Sequence, residues 1–519
     1  MKMKKLLSLA LAAGMSLSLF AACGGGGEQG SGGETQTGDK PAKIKIMTNG
    51  TVFTASNGRD KFEKRWEELT GIDLEITQPD HDSYYDVLGQ TMSAGPESWP
   101  DVVLLSPTYY AGYAEEGALW DMTEAWEKSE LKKSGRINNP ELIDQLYLNT
   151  QDGHRLYGFA PARGSGCITY VKKKWLDNCG LSVPQTYDEY LNMLKAFREG
   201  DPDGNGKKDT EFSVAAPGLI GNEEPYTNYL PEFYQSGYPT FYQKEDGTWV
   251  DGFMEQPMKD ALTRLRDAYQ QGLIDKMSVK QGTKDIRNKF YDNKFGVFTY
   301  WAGTWATNLK TNLKANGLDD ELVALPPIKE LGNYLERRPA VWCITSSCKN
   351  PEAVFKYFIE SMLDGGDMQV LWTYGVKGTH WDDKAETVLG KEYKEGEFHM
   401  LPSLEKKSTA YTKNHIDPML SIGDFKGEDP GANQVAPEAR ASQETFNKNA
   451  KLAPNVMSSE EMSKFNGSLT QLKNSLITEF ITSDKAMSIE ELYAKFQKER
   501  GEEWSKAIVD SLNAKSQKK

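Results

Sequence analysis

Histidine and cysteine are scarce in this chain, with five of each among 519 residues. Four cysteines follow Cys23, namely Cys167, Cys179, Cys343 and Cys348, and none stands in a metal-ligand spacing or beside a histidine cluster, which excludes a zinc site of the usual kind. An oxidising compartment would permit disulfides among them, and spacing alone leaves their pairing open. Also missing are a G-x-S-x-G elbow, an H-E-x-x-H pair and a G-x-x-x-x-G-K-[ST] phosphate loop, so the usual hydrolase, metalloprotease and nucleotide-binding signatures are absent. Positive charge is in short supply: 61 Lys and Arg face 75 Asp and Glu, a formal net charge of −14, which makes nucleic acid an unsuitable partner. Paired carboxylates for glycoside hydrolysis stay open, because so many acids always offer some pair at the required separation.

Long apolar runs are missing too, except at the start. Lys2, Lys4 and Lys5 precede an apolar stretch that ends Leu19-Phe20-Ala21-Ala22-Cys23. Small residues before one cysteine spell a lipoprotein signal peptide, with Cys23 as the acylated N-terminus and palmitate as an expected chain. The competing readings are a plain secretory signal or a membrane helix; residues 6 to 22 are short for a span. The residues behind Cys23 are mostly Gly, Ser, Thr, Gln and Glu, the composition of a flexible tether. Cleavage before Cys23 leaves 497 of the 519 residues and, with three lysines gone, takes the charge from −14 to −17. A chain of that length exceeds one core and predicts two lobes or more.

Alternation at Lys43-Ile44-Lys45-Ile46-Met47, a helical stretch from Arg59 to Leu69, alternation again at Ile72, Leu74 and Ile76, and the apolar run Asp101 to Leu105 predict a parallel α/β sheet. Ligands sit at the carboxyl ends of such strands, which puts Thr48 to Thr51, Gln78 to His81 and Ser106 to Tyr110 on one rim. Further on, Thr186-Tyr187-Asp188-Glu189 is a capping box, Gln256 to Gly272 an amphipathic helix, Phe295 to Tyr300 a buried strand, Asn350-Pro351-Glu352 a helix start, and Ser488 to Glu491 the opening of a terminal helix.

Asp201-Pro202-Asp203-Gly204-Asn205-Gly206-Lys207-Lys208-Asp209 offers oxygen side chains at loop positions 1, 3, 5 and 9, glycine at 6 and a carbonyl at 7. A hard, many-coordinate calcium ion needs that set. Phe212 stands where a bidentate carboxylate is expected, so Glu211, or Thr210 with water, must complete the shell. The plainer reading is an acidic surface turn. Calcium in a structural role is the expectation, held by Asp201, Asp203, Asn205, Lys207, Asp209 and Glu211.

Leu156-Tyr157-Gly158-Phe159-Ala160-Pro161, Tyr170 to Leu181, Pro184 to Glu189 and the Asp/Asn loop resemble extracellular solute-binding proteins of ABC importers, family 1. More narrowly they resemble the large Gram-positive lipoprotein type and the alginate-binding periplasmic proteins. Pro100-Asp101-Val102, Glu116 to Asp121, Gln271 to Asp275, Asn350 to Ala353 and Tyr374 to Gly378 extend the match along the chain. The resemblance implies an α/β, two-lobed periplasmic-binding-protein fold with hinge strands and an interlobe cleft. It implies residues 1–22 as signal, 23–41 as tether, 42–161 with 331–399 as lobe 1, and 162–330 with 400–519 as lobe 2. In the alginate-binding relatives the matching loop holds calcium; there a glutamate follows the last aspartate, where this chain has Thr210.

Twelve Trp and 24 Tyr suit a cleft for sugar rings, whose C–H faces need flat aromatic platforms with polar groups around the edge. Candidates are Tyr300, Trp301 and Trp305, then Tyr109, Trp372 and Trp381, although most tryptophans in proteins are core. Arg163, Asp80 and Arg59 are candidates for hydroxyl or carboxylate contacts, and a solvated surface is the plainer reading of each. The expected function is therefore the substrate-binding lipoprotein of an ABC transporter. It would act as a monomer on the outer face of a Gram-positive-type cell membrane, closing its lobes on an extracellular solute, an oligosaccharide in first place with peptide or another organic solute as the alternative, and passing it to a permease. The alternatives are a surface glycan-binding lipoprotein, an adhesin or sensor partner, and a glycan-degrading enzyme.

Overall fold

The computed structural model describes residues 40–49, 55–80, 83–137, 140–150, 153–217, 230–233, 238, 240–405, 407–411, 429–454, 457, 459–485 and 487–517. The signal, Cys23, most of the tether, Thr51 and His81 lie outside them. Lys43–Met47 points its lysines outward and buries Ile44 and Ile46, so it forms a strand with one buried face. It pairs in parallel with Asp73–Thr77 on one side and Val102–Leu105 on the other. The last of these is buried on both faces, as the centre of a helix-covered sheet must be. The fourth strand, Val341–Ile344, adds antiparallel to Val102–Leu105 from far along the chain. Helix Arg59–Thr70 covers this sheet with Phe62 and Trp66, four residues apart, and stops at Gly71 in the left-handed conformation.

A second sheet pairs Cys167–Lys172 antiparallel with both Leu322–Ala324 and Val297–Trp301, and single parallel bridges join Val214 to Val297 and Ile274. The expected strand at Phe295 to Tyr300 is shifted by this pairing, so that Trp301 ends it opposite Cys167. The capping box at Thr186 and Glu189 forms in both directions and starts helix Tyr187–Glu199. Ser488 and Glu491 do the same for Ile489–Lys498. Helix Thr304–Ala315 is preceded by Gly303, at φ 73°, where a side chain would be strained. No disulfide joins Cys167, Cys179, Cys343 and Cys348.

Each sheet has its own core. Residues from Ile44 to Ala160 and from Val341 to Trp372 fill one, and residues from Cys167 to Leu335 and from Phe446 to Leu512 fill the other. The chain changes core at 161–166 and again at 336–340, later than the boundary expected at 330. The boundary expected at 400 falls in the interval between Trp372, the last residue of the first core, and Phe446, where the second resumes. Met400 and Tyr411 pack with Tyr374 and Phe398 in a small third cluster. That cluster is tied to lobe 1 at Asn57, whose side-chain oxygen accepts from the Tyr411 hydroxyl at 3.2 Å. Val376 N–H donates to His380 Nδ1 at 2.8 Å, so Nε2 carries the proton and donates to the Asn57 carbonyl at 2.9 Å.

The two crossings lie against each other. Arg337 N–H donates to the Ser165 carbonyl at 2.9 Å. A Cβ on Gly164 would fall 1.9 Å from the Arg337 carbonyl oxygen, so only glycine allows this approach. Gly164→Ala should therefore destabilise the protein by about 1–3 kcal/mol through forced separation of the crossings. Gly467→Ala, in helix Glu460–Thr482 with open space around it, should raise stability by about 0.5–1 kcal/mol. Equal melting of the two variants would show that the crossing backbone yields freely.

Candidate functional site

The carboxyl ends of the lobe 1 strands are held by Tyr84, fully buried at the start of helix Tyr84–Ser93. Its hydroxyl donates to the Leu104 carbonyl at 2.7 Å and lies 3.2 Å from that of Met47. This anchoring sets the direction of the next side chain, Tyr85, which stacks on Tyr109 at 4.3 Å between centroids and 8° between planes. Tyr109 and Tyr113 lie one turn apart on helix Pro107–Glu115, with their rings 6.1 Å apart. Burial raises the Tyr85 hydroxyl above its ordinary value, while a hydrogen bond with Ser106 and the charge of Arg337 pull it back. Tyr109 is raised by burial and by the charge of Asp86.

From lobe 2, Trp301 is half-buried at the end of its strand, and its carbonyl accepts from the Tyr170 hydroxyl at 2.9 Å. The Arg337 guanidinium lies 4.6 Å from the Trp301 ring centroid, a cation–π contact. Arg337 thus stands at the crossing with lobe 2's Trp301 on one side and lobe 1's Tyr85 within reach of its charge. Tyr113, Tyr109, Tyr85, Arg337 and Trp301 thus form a line, the tyrosines in lobe 1 and the tryptophan in lobe 2, joined by ring contacts and by the charge of Arg337. At the ends of the first two strands, Thr48 Oγ1 and Gln78 Nε2 are buried without a hydrogen-bond partner among the described residues. Each such atom costs about 1–3 kcal/mol.

Of the residues singled out by sequence, Trp301 and Tyr109 fall on this line. Tyr300 does not: it is 5 % exposed, stacks on Phe298 at 5.3 Å and takes a hydrogen bond from Arg287 at 3.2 Å. Trp305 packs edge-on against Tyr300 at 4.7 Å, with Arg287 over its ring. Trp372 is core, 2 % exposed among Phe62, Trp66, Trp342 and Phe358. Trp381 stacks on Phe398 in the third cluster and donates to the Gly375 carbonyl at 3.0 Å. Arg163 is an ion-pair partner of Glu336, its Nε donating at 2.7 Å, and this raises the arginine above its ordinary value. Arg59 pairs with Glu63 at 3.6 Å, and Asp80 is exposed, its carbonyl accepting from Ser83 N–H at 3.0 Å. Tyr85 and Arg337 were not foreseen. Their signals were a Tyr84-Tyr85 doublet opening a helix at the rim and an Arg-Arg pair at the crossing.

In the Asp201 to Asp209 loop the oxygens converge on Asn205. Its backbone N–H donates to Asp201 at 3.0 Å and to Asp203 at 3.2 Å, and its amide to Asp203 at 2.9 Å and Asp209 at 3.4 Å. Three carboxylates thus gather around the two nitrogens of Asn205. Gly204 and Gly206, at φ 72° and 83°, supply the turn. Glu211 is exposed, because Phe212 after it is buried against Phe295 at 5.8 Å. Among the described residues no three His, Cys, Asp or Glu side chains form a metal-ready group, so a cation here would also need Asn205 and the Lys207 carbonyl. In the same lobe Lys172 is fully buried, donating to the Phe290 carbonyl at 2.9 Å and Asn293 at 2.8 Å. Burial pushes its amine down to about 7, with the charges of Asp320 and Asp203 pulling the other way.

Comparison with known proteins gives the family. The profile of the bacterial extracellular solute-binding proteins matches residues 55–360, more than half of the chain. Lipoprotein LipO of Bacillus subtilis is 26 % identical over 426 residues, covering 79 % of this chain and 78 % of that protein. The fructooligosaccharide ABC transporter substrate-binding protein FusA of Streptococcus pneumoniae is 25 % identical over 441 residues, 78 % of this chain and 76 % of that one. In fold, the chain is similar to an HMO-binding, ABC-transporter-associated solute-binding protein of Bifidobacterium longum infantis, with a TM-score of 0.65 and 17 % identity over 92 % of this chain and 99 % of that chain. With two cores, two close-packed crossings and aromatic surface where they meet, this chain belongs to the family of bacterial extracellular solute-binding proteins.

Proposed function

We propose that the chain is the substrate-binding subunit of an ABC importer and that it captures an oligosaccharide between its lobes, as a monomer, for delivery to a membrane permease. The observation that carries this reading is the aromatic line from Tyr109 and Tyr85 through Arg337 to Trp301, contributed by both lobes. Flat rings bind the C–H faces of sugars, and a guanidinium supplies donors for their oxygens. FusA, a binding protein for fructooligosaccharides by name, supports the solute class and the importer. The reading is of a binding protein, not an enzyme.

A thermal-shift screen of plant and microbial oligosaccharides tests it. A ligand at about 100 times its dissociation constant should add about 2.7 kcal/mol of stability. The bound glycan should be recovered intact; cleavage would assign the chain to the enzymes. Trp301→Ala should weaken binding by roughly 1–3 kcal/mol and leave folding nearly unchanged. Trp372→Ala should instead cost about 3–5 kcal/mol of stability. A destabilised Trp301→Ala with unaltered intrinsic affinity would remove that residue from the site.

Calcium in the Asp201 to Asp209 loop is the second part of the reading, held by Asp201, Asp203, Asn205, Asp209, Glu211 and the Lys207 carbonyl. Its role would be to fix the loop after helix Tyr187–Glu199 to the lobe. Metal analysis of protein purified without chelator should find one calcium per chain, and EDTA should lower the melting temperature of the wild type but not of Asp203→Ala. Absence of calcium from the wild type would leave the loop an acidic turn.

Anchoring through an acylated Cys23 completes it, supported by the signal composition and by the lipoprotein relative. One acyl chain holds a protein weakly, and two or more hold it stably. After Cys23→Ala the protein should leave the membrane fraction. Unchanged membrane retention would discard the anchor.

A further inference from the structure

Most ion pairs of the described residues lie within one lobe, and Arg163 with Glu336 sits at a crossing between lobes. Lys515 with Glu115 differs from both kinds. Glu115 ends helix Pro107–Glu115 in lobe 1, the helix that carries Tyr109 and Tyr113, and Ala114 beside it packs in the lobe 1 core. Lys515 lies in the last turn of Gly501–Gln517, whose Ile508 and Leu512 pack in the lobe 2 core. The Lys515 ammonium donates to Glu115 across 400 positions of sequence.

The lysine is held in place from its own side. Trp249, 1 % exposed, donates its backbone N–H to Asn513 at 2.9 Å and its indole N–H to Ser516 at 2.7 Å. The residues flanking Lys515 are thereby tied to strand Trp249–Asp251, so the ammonium is presented by a fixed last turn. Its side chain is 32 % exposed and that of Glu115 25 %, which leaves the pair open to water once the lobes part. The chain as a whole is strongly acidic, so a cation of one lobe set against an anion of the other opposes the general repulsion between them.

We propose that Lys515 and Glu115 are an interlobe clasp, a positioning pair that favours the closed arrangement and holds the end of the tyrosine-bearing helix against lobe 2. The inference rests on the reading of lobe closure given above. A solute can enter only if the lobes separate, and separation breaks this pair while leaving the crossings intact. The pair therefore contributes to the closed form alone. A partly exposed pair shifts the closed-to-open ratio by about two- to five-fold, and salt screens it.

The test uses no sugar. Small-angle scattering and amide hydrogen exchange are measured on the mature protein, on E115K, on K515E and on the double reversal, in about 0.02 M and about 1 M sodium chloride. Each single variant should have a larger radius of gyration than wild type at low salt. Each should also exchange about two- to five-fold faster in both the Pro107–Glu115 and Gly501–Gln517 helices, with melting temperature little changed. The double reversal should restore both readings, and high salt should erase the differences. Single effects that add in the double variant, that ignore salt, or that stay in the lobe bearing the substitution would overturn the clasp. A protein that bound no oligosaccharide would leave these readings as they are, so failure of the sugar reading and failure of the clasp are told apart.

Discussion

Everything about this molecule that concerns a cleft depends on the backbone contact at Gly164. Two strands of chain, 161–166 and 336–340, pass between cores in van der Waals contact, because a residue without a Cβ lies under the Arg337 carbonyl. The Arg163 pairing with Glu336 beside it is a charged bond between the same two segments, with the glutamate almost wholly buried. An unpaired carboxylate at that depth would be costly, so the ion pair and the close approach enforce each other. The crossing is thereby stiff in position while its length across the lobes remains short.

That stiffness explains why Arg337 can act as a fixed element of the site. Its backbone is pinned by Ser165 and Gly164, and its guanidinium lies on the face of Trp301. The guanidinium is a planar, permanently charged group over the ring, which a lysine could not reproduce in the same geometry. Lobe 1 answers with Tyr85 and Tyr109, positioned because Tyr84 spans the ends of two parallel strands. The rim of an α/β sheet thus supplies the rings, and the crossing supplies the charge.

Lobe 2 spends its polar groups differently. Lys172 lies in the core between Phe290 and Trp175, and its lowered amine value expresses the cost of keeping a charge there. Lys473, a second buried lysine, pairs with Asp251 at 2.7 Å and joins helix Glu460–Thr482 to strand Trp249–Asp251. That strand is also the one that holds the last turn of Gly501–Gln517 and with it Lys515. A buried ion pair of one lobe thus stands behind the surface ion pair that meets the other.

Local chemistry was legible in the sequence wherever one segment decides its own shape. Alternation placed the strands of lobe 1, Thr186 with Glu189 and Ser488 with Glu491 opened their helices as read, and the Asp/Asn loop drew its oxygens together around Asn205. The two-lobed α/β fold was legible through motifs spread along the chain. Which aromatic ring is core and which is surface was not, because that depends on what packs over it. Trp372 and Tyr300 have the same residue chemistry as Trp301 and Tyr109, yet Phe62 and Trp66 cover the first and Phe298 and Arg287 the second. Arg163 and Arg337 both lie at crossings. Only the tertiary contact of Glu336 with the first and Trp301 with the second assigns one to holding the lobes and the other to the face between them. The return to lobe 2, expected at residue 400, falls between Trp372 and Phe446, and the small cluster inside that interval was not legible: Met400 and Tyr411 find their partners in Tyr374 and Asn57, and burial against residues distant in sequence leaves no local trace.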